Sequence, residues 1–229
     1  RRRPSSARAS SRMLVVRCED TQHGGDSEGN GWKDLLGEQL WAPRAGGVHI
    51  GSIHEDDIPE VADLQALGFF SPNKHGFLNA LAWNSFRAEV RSALNQKIKY
   101  SDPQSFCCLV ARNETGEHIG VVEVSVQSEP TVIALMDSTD CQSYGYIASM
   151  TVREAERRSG IASALLSAAE QVAVRWGQRV AVLDVHEDNS AAVGLYQVRG
   201  YMAMREDPAW YTIIGKRKRI NMHKELEHV

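Results

Sequence analysis

The feature that most constrains the fold is a strand that leads directly into a long amphipathic helix. The run Tyr144–Val152 (YGYIASMTV) is short and mostly apolar, which is typical of a buried strand. The segment RRSGIA follows at Arg157–Ala162, and apolar side chains then recur at helical spacing as far as Trp176. A strand, a turn and a helix with one apolar face predict a helix packed against a β-sheet, in an α/β arrangement.

The rest of the chain predicts more elements of both kinds. The acidic run HEDDIPE suits a helix N-terminus, so we interpret it as capping and not as a metal cluster. Cys107 and Cys108 lie in a predicted strand and should point to opposite faces of the sheet, which argues against a disulfide framework. Further strands are predicted at 48–53, 106–112, 119–127, 180–185, 201–205 and 220–224, and helices at about 54–67, 77–99 and 189–198.

The charge is unevenly distributed along the chain. Residues 1–17 hold six arginines and no acid, and residues 216–219 add four basic side chains, leaving 16 basic residues against 29 acidic ones elsewhere. An acidic body is unfavourable for nucleic-acid binding. Glycines at 24–31 suggest a linker, so we expect one domain at 48–229. We expect residues 1–47 before it to form a transit-peptide remnant or flexible basic arm with a Gly-rich linker. Within this segment, WKDLLGEQLW could form a short docking helix.

The turn before the long helix is a candidate phosphate site. The first N–H groups of a helix have no partner within the helix and carry partial positive charge, so they can bind a pyrophosphate. The small residues Gly160, Ala162 and Ser163 would let a ligand approach the backbone. The pattern is neither the GxxxxGK[ST] loop of P-loop nucleotidases nor the GxGxxG dinucleotide fingerprint.

A second segment, Asn189–Tyr201 (NSAAVGLYQVRGY), follows after one intervening strand. Together the two segments resemble the Gcn5-related N-acetyltransferase (GNAT) family, whose acetyl-CoA loop has the form R/Q-x-x-G-x-G/A and whose later helix carries N-x-x-A-x-x-L-Y-x-x-x-G-Y/F. The resemblance covers about 48–226. It implies a mixed central sheet of about seven strands, splayed between the fourth and fifth strands and flanked by about four helices.

The resemblance also implies acetyl-CoA as co-substrate and no metal. By motif position, Asn189 would hydrogen-bond the pantetheine arm, Tyr196 would protonate the departing CoA thiolate, and the amide of Val152 would stabilise the oxyanion. The main chain of Met150, Thr151 and Val152 would contact the pantetheine, and the pyrophosphate would be held by Arg157, Arg158, Ser159, Gly160, Ile161, Ala162 and Ser163. Ser149 departs from the asparagine that we expect beside Met150.

Two carboxylates are candidates for the base that takes the proton from the acceptor amine. Asp184 matches the position where ribosomal-protein N-terminal acetyltransferases of the family have a glutamate. Because aspartate is shorter, it would need a water relay. Glu123, on the neighbouring hairpin strand, is the competing choice and a candidate substrate contact.

The closing segment DPAWYTIIGKRKR is similar to plastid members of the family in plants and algae, described as acetylating protein N-termini and lysines. Trp210 and Tyr211 are therefore candidate peptide contacts, although Trp210 equally fits a loop anchor in the core. We expect a plastid stromal N-acetyltransferase of protein N-termini, and of some lysines, with no membrane association. A mitochondrial or cytoplasmic location, a small-amine acetyltransferase, and a protein that docks on ribosomes or nascent chains through its basic arm are the alternatives.

Overall fold

A computed structural model describes residues 39–41, 47–70, 79–136, 141–213 and 216–227. In these residues eight strands form one mixed sheet, in the spatial order β1-β2-β3-β4-β5-β6-β8-β7. The strands are β1 (Gln39–Trp41), β2 (Val48–Ser52), β3 (Phe106–Arg112), β4 (His118–Gln127), β5 (Tyr144–Val152), β6 (Val180–His186), β7 (Met202–Glu206) and β8 (Arg219–Glu225). The helices are α1 (Ile58–Phe69), α2 (Asn79–Tyr100), α3 (Pro130–Ile133), α4 (Ile161–Arg175), α5 (Ser190–Val198) and α6 (Trp210–Ile213).

The predicted fold class is confirmed: strands β2–β8 form the expected seven, and four of the described helices have nine or more residues. The docking-helix prediction is wrong at its end, because Gln39–Trp41 is extended and pairs antiparallel with β2. The edge of a sheet presents unpaired backbone N–H and C=O groups, and an added strand satisfies them. The rest of the predicted arm and linker, apart from Gly47, lies outside the described residues.

The sheet splays between β5 and β6. These two strands are parallel, and they pair only where Gly145–Ile147 faces Ala181–Leu183. Beyond Ile147 and Leu183 the strands diverge, which opens a gap at their carboxyl ends. β5 also carries an irregularity opposite Val121–Glu123, where Ser149 has a φ of 54°. Asparagine adopts this left-handed conformation more readily than serine, which explains why an asparagine is the expected residue there.

Helices cover both faces of the sheet. Helices α1 and α2 pack over one face, in a core cluster that includes Cys108. Helix α4 packs over the other face, in a larger cluster that includes Cys107. The prediction that the two cysteines point to opposite faces is therefore confirmed, and both are free thiols. No helix in the described ranges is long and apolar enough to cross a membrane.

One close contact holds α1 against the strand that leads into the phosphate turn. A Cβ added at Gly68 would lie 2.6 Å from Cγ2 of Thr151, a buried side chain. Because Thr is β-branched and has few rotamers, it cannot move aside.

We expect Gly68→Ala to lower the free energy of unfolding by about 1–2 kcal/mol, because the overpacking outweighs the gain in helix propensity. Chemical denaturation measures this change. Gly194→Ala is the matched control, since no atom lies within 4 Å of its added Cβ, and it should stabilise the protein slightly. Equal stability of the two variants would contradict this account of the packing.

Candidate active site

The turn between β5 and α4 has the conformation that an anion site requires. A 3-10 turn at Glu154–Glu156 follows β5, and two residues with positive φ, Arg158 (67°) and Gly160 (99°), then direct the chain into α4. The hydroxyl of Ser159 donates to the carbonyl of Glu156 at 2.5 Å, which pins the turn. The helix therefore begins at Ile161 with its first N–H groups directed outward from the end of a 15-residue helix.

The two arginines of this turn differ in their surroundings. The guanidinium of Arg157 folds back, and its Nε donates to the carbonyl of Val152 at 3.2 Å. Arg158 is exposed and its charge faces solvent. The structure thus brings Arg157–Ser163 together in one turn and the first turn of α4. Both arginines are exposed, and Arg157 also braces the backbone.

The backbone of β5 presents an amide to the gap. The N–H of Arg153 donates to the carbonyl of Ile119 at 2.9 Å, on the β4 side. Because successive N–H groups of a strand point in opposite directions, the N–H of Val152 is directed away from β4, toward the splay. The side chain of Thr151 is buried against α1, so only its main chain is placed for a role at the gap. The side chain of Met150 packs against the core cluster under α4.

Helix α5 carries both residues singled out in the second motif. Asn189 is the N-cap, and its Oδ1 accepts a hydrogen bond from the amide of Ala192 at 3.3 Å. Its side-chain nitrogen provides two further N–H donors. Tyr196 is only 7% exposed, and its ring centroid lies 5.8 Å from that of Tyr201. Burial raises the pKa of Tyr196 to about 12, so its hydroxyl stays protonated at any working pH.

Asp184 lies on β6 just beyond the point where β5 and β6 separate. Its exposed carboxylate accepts hydrogen bonds from the hydroxyl of Tyr146 and from Nδ2 of Asn221, both at 3.0 Å. Burial and the adjacent Asp184 carboxylate raise the pKa of Tyr146, so the phenol remains a donor to the carboxylate. The two neighbours use one oxygen each and fix the carboxylate in place.

Sequence reasoning missed Tyr146 and Asn221. Tyr146 faces Val182 in the parallel ladder, and Asp184 is two residues further along β6 and so shares its face. The positions of Tyr146 and Asp184 within two predicted strands could therefore have indicated that their side chains lie on the same face of the sheet. No sequence signal was available for Asn221, because it faces Asp184 only through the insertion of β8 between β6 and β7.

A polar cleft of about 260 Å³ opens beside Asp184. Its charged residues are four carboxylates and two arginines, so the cleft is net negative. Asp207 accepts from the backbone amide of Arg219 at 3.0 Å and pairs with its guanidinium at 3.5 Å. The lining residues are Glu129, Val132, Leu135, Asp184, Arg205, Glu206, Asp207, Arg219 and Asn221.

The candidate acceptor contacts Trp210 and Tyr211 lie in α6, a short turn that begins three residues after Asp207. Their rings meet edge to face at 4.7 Å, and Nζ of Lys216 lies 5.4 Å from the Tyr211 ring centroid. Trp210 is 53% exposed, so the alternative in which it anchors the loop in the core is wrong. Neither aromatic is among the residues that line the cleft.

Glu123 lies in a different environment from Asp184. It is 4% exposed, under α1 and α2, and its two oxygens accept from Nε2 of Gln65 at 2.6 Å and Nζ of Lys97 at 2.7 Å. This carboxylate has a structural role between strand and helices, and the cleft does not include it.

Three of the four cations in the basic cluster at 216–219 pair with neighbouring acids. Arg217 makes a two-pronged pair with Asp188, at 2.7 and 3.0 Å, and Lys218 pairs with Glu187 at 3.0 Å. Because these charges have partners, the cluster is a poor docking surface for nucleic acid.

Comparison with known proteins decides the family. The model of the acetyltransferase (GNAT) family matches residues 60–201. The chain belongs to the GNAT family. It is therefore an acyltransferase, in a family that uses acetyl-CoA and acts on protein or amine acceptors. In the described part of the chain no group of three or more His, Cys, Asp or Glu side chains is arranged to hold a metal ion.

Individual relatives agree with this assignment. GCN5-related N-acetyltransferase 10, chloroplastic, from Arabidopsis thaliana is 34% identical over 202 residues, which cover 85% of this GNAT chain and 76% of the relative. GCN5-related N-acetyltransferase 6, chloroplastic, from the same plant is 26% identical over 137 residues, covering 51% and 48%. The crystal structure of Arabidopsis thaliana NAA60 with a bisubstrate analogue shares the fold, with a TM-score of 0.58 at 18% identity over 79% of this chain and 99% of that one.

Proposed function

We propose that this GNAT enzyme transfers the acetyl group of acetyl-CoA to the α-amino group of protein N-termini, and more slowly to lysine side chains. The observation that carries the proposal is the carboxylate of Asp184, held by Tyr146 and Asn221 at the mouth of an acidic cleft beside the splay. This arrangement offers a base and a negative potential to an incoming amine.

The donor side of the site fits acetyl-CoA. The turn Arg157–Gly160 and the first amides of α4 suit a pyrophosphate, and Arg158 adds an exposed positive charge. The N–H of Val152 is directed into the gap between β5 and β6, where it can stabilise negative charge that develops on the thioester oxygen. The side-chain N–H donors of Asn189 suit the amide carbonyls of a pantetheine arm.

Tyr196 is suited to protonate the leaving thiolate. A thiolate whose thiol has the ordinary pKa near 8.5 is a weaker base than the phenolate of Tyr196, whose pKa is raised to about 12, so proton transfer to a solvated thiolate would be unfavourable. The same burial acts on sulfur, however, as the free thiol Cys107 shows, where burial raises the pKa to about 11. In a shared apolar pocket the two pKa values converge, and Tyr196 can donate its proton as the C–S bond breaks.

Asp184 is suited to take the proton from the acceptor amine. Its side chain is exposed in the cleft, and each carboxylate oxygen keeps acceptor capacity beyond the single hydrogen bond it receives. A water between carboxylate and amine compensates for the short aspartate side chain. Glu123 is less suited to this role, because both of its oxygens already accept hydrogen bonds, from Gln65 and from Lys97.

The acceptor class follows from the protonation of amines. At pH 7 roughly one in seven α-amino groups of pKa ~7.8 is neutral, compared with about one in 2,500 lysine side chains of pKa ~10.4. The hydrogen bonds that Asp184 accepts come from the neutral groups of Tyr146 and Asn221. We therefore expect the amine that already loses its proton near neutrality to react fastest.

The negative cleft also predicts a preference in the acceptor peptide. A peptide with Lys at its second residue should react about 5–10-fold faster in kcat/KM than one with Glu there, because Glu129 and Glu206 line the cleft with exposed carboxylates. The ratio should shrink in 0.5 M salt and in Glu206→Gln. A preference for Glu at that residue would contradict the electrostatic account.

We place the enzyme in the plastid stroma. Support comes from the relatives, whose names describe them as chloroplastic, and from the arginine-rich, acid-free residues 1–17, which suit a transit peptide. Docking on ribosomes through residues 216–219 is disfavoured, because three of the four cations in that cluster pair with acids.

A direct test offers labelled acetyl-CoA and three acceptors: a peptide with a free N-terminus, the same peptide with a blocked N-terminus and one lysine, and an arylalkylamine. The proposal expects the first to be labelled fastest, the second slowly and the third hardly at all. Transfer to the small amine alone would overturn the proposal in favour of a small-amine acetyltransferase. An absence of any transfer would favour a GNAT-fold protein that acts by docking.

A further inference from the structure

Helix α5 carries the proposed acid but has little apolar anchoring. It is nine residues long, and Tyr196 is its one buried residue. A helix this short is not stable by itself, so contacts with the rest of the protein must hold it in place. At its N-terminal end Asn189 caps the first turn.

At the C-terminal end, Arg199 fastens α5 to α4. Its backbone N–H donates to the carbonyls of Leu195 and Tyr196, at 3.0 and 3.1 Å. Its guanidinium crosses to α4, where it donates to Oγ of Ser167 and lies 3.7 Å from Oε2 of Glu170. Arg199 thus joins the helix that carries Tyr196 to the helix whose N-terminus forms the phosphate turn.

Glu170 is the centre of this cluster. It is 9% exposed, and Oε2 also accepts from Nζ of Lys224 on β8 at 2.9 Å, so one buried carboxylate faces two cations. The same Lys224 lies 5.7 Å from the ring centroid of Tyr201, whose ring packs beside that of Tyr196. Burial and the nearby Glu170 raise the pKa of Tyr201. The cluster therefore reaches Tyr196 both through the backbone of α5 and through the Tyr201 ring.

We infer that Arg199 and Glu170 are positioning residues for the acid step. They form a clasp between α4 and α5 that fixes the hydroxyl of Tyr196 relative to the phosphate turn. The inference rests on the proposed role of Tyr196. The clasp acts through Tyr196, and its residues are not among those that line the acceptor cleft. Disrupting it should therefore lower kcat and leave the KM for the acceptor peptide unchanged.

Arg199→Ala tests the clasp directly. Removing the guanidinium should lower kcat about 10-fold, while the KM for a free-N-terminus peptide stays within twofold. Arg199→Lys should recover part of kcat, because the ammonium keeps the charge but lacks the rigid planar group whose Nη2 lies close to both Ser167 and Glu170. Ser167→Ala, which removes one hydroxyl from the surface of α4, should give a smaller decrease of about threefold. Arg91→Ala, an exposed arginine on α2, is the matched control and should leave kcat unchanged.

A double-mutant cycle separates the clasp from the acid assignment. If Arg199 acts through Tyr196, then Arg199→Ala should cause no further loss of kcat in a Tyr196→Phe background. An equal loss in both backgrounds, or full kcat in both Arg199→Ala and Ser167→Ala, would overturn the clasp while leaving the acid role of Tyr196 intact. Unchanged turnover in Tyr196→Phe alone would instead overturn the acid assignment, and the clasp with it. Thermal unfolding of each variant, with Ser167→Ala as the mildest change, shows whether a loss of kcat reflects loss of fold.

Discussion

Replacing Tyr196 by Phe should lower kcat about 100-fold and leave acetyl-CoA binding within about threefold of the natural protein. Proton transfer by a positioned side chain typically contributes 10²–10⁴-fold, and the phenol hydroxyl is the group removed. The ring remains, so its packing beside Tyr201 and its share of the core are preserved. Steady-state kinetics gives kcat, and isothermal titration with acetyl-CoA gives the binding constant.

The pH profile adds a sharper criterion for Tyr196. Burial raises its pKa to about 12, so the protonated acid is fully populated from pH 6 to 10 and activity should show no falling limb from this group in that range. Tyr100→Phe, at the exposed end of α2, is the control and should keep full activity. Retained turnover in Tyr196→Phe, with the control normal, would remove Tyr196 from the chemistry.

Asp184→Asn should lower kcat/KM for a free-N-terminus peptide by about 100-fold, which corresponds to roughly 2.7 kcal/mol of lost transition-state stabilisation. The amide is nearly the same shape and can still accept from Tyr146 or Asn221, so the fold and acetyl-CoA binding should persist. What is lost is the capacity to accept a proton from the amine. The deficit should shrink as the pH rises, because more of the amine is then already neutral.

The matched control for the base is Glu89→Gln, which removes one exposed carboxylate from α2, far in sequence from the cleft residues. Its kcat/KM should stay within twofold. Glu123→Gln tests the competing candidate. It should lower stability, because the buried side chain at this position loses its charge pairing with the half-exposed Lys97, and it should have a smaller effect on kcat/KM. Full activity of Asp184→Asn across the pH range would assign the base elsewhere.

The order of strands and helices was predictable because the elements carry local signals. The run Tyr144–Val152 and the apolar face of α4 are recognisable by composition and period, and the first six strands lie side by side in chain order. The insertion of β8 between β6 and β7 was not predictable, because it depends on long-range pairing that no local pattern encodes. The strand at Gln39–Trp41 was missed because three residues beside Gly and Pro carry too little periodicity.

The candidate site divides in the same way. The phosphate turn and Tyr196 lie within short motifs, so their proposed roles could be predicted from the sequence alone. Asp184 was predicted only by its motif position. Its hydrogen bonds come from Tyr146 and Asn221, which lie on two other strands, so they could not be predicted in the same way. The pairing within the basic cluster at 216–219 was not predictable either, because the acids that neutralise Arg217 and Lys218 come from the β6–α5 connection. Counting charged residues in a sequence gives the net charge, but it does not show which cations lie beside acids on the folded surface.

The most direct test of the central claim uses one peptide that carries a free α-amino group and one internal lysine. After reaction with acetyl-CoA at pH 7 and at pH 9, mass spectrometry of the fragments locates the acetyl group. The account predicts acetylation mainly of the α-amino group at pH 7, with a lysine fraction that grows at pH 9 because the neutral lysine population rises about 100-fold. Acetylation mainly of the lysine at pH 7 would contradict it.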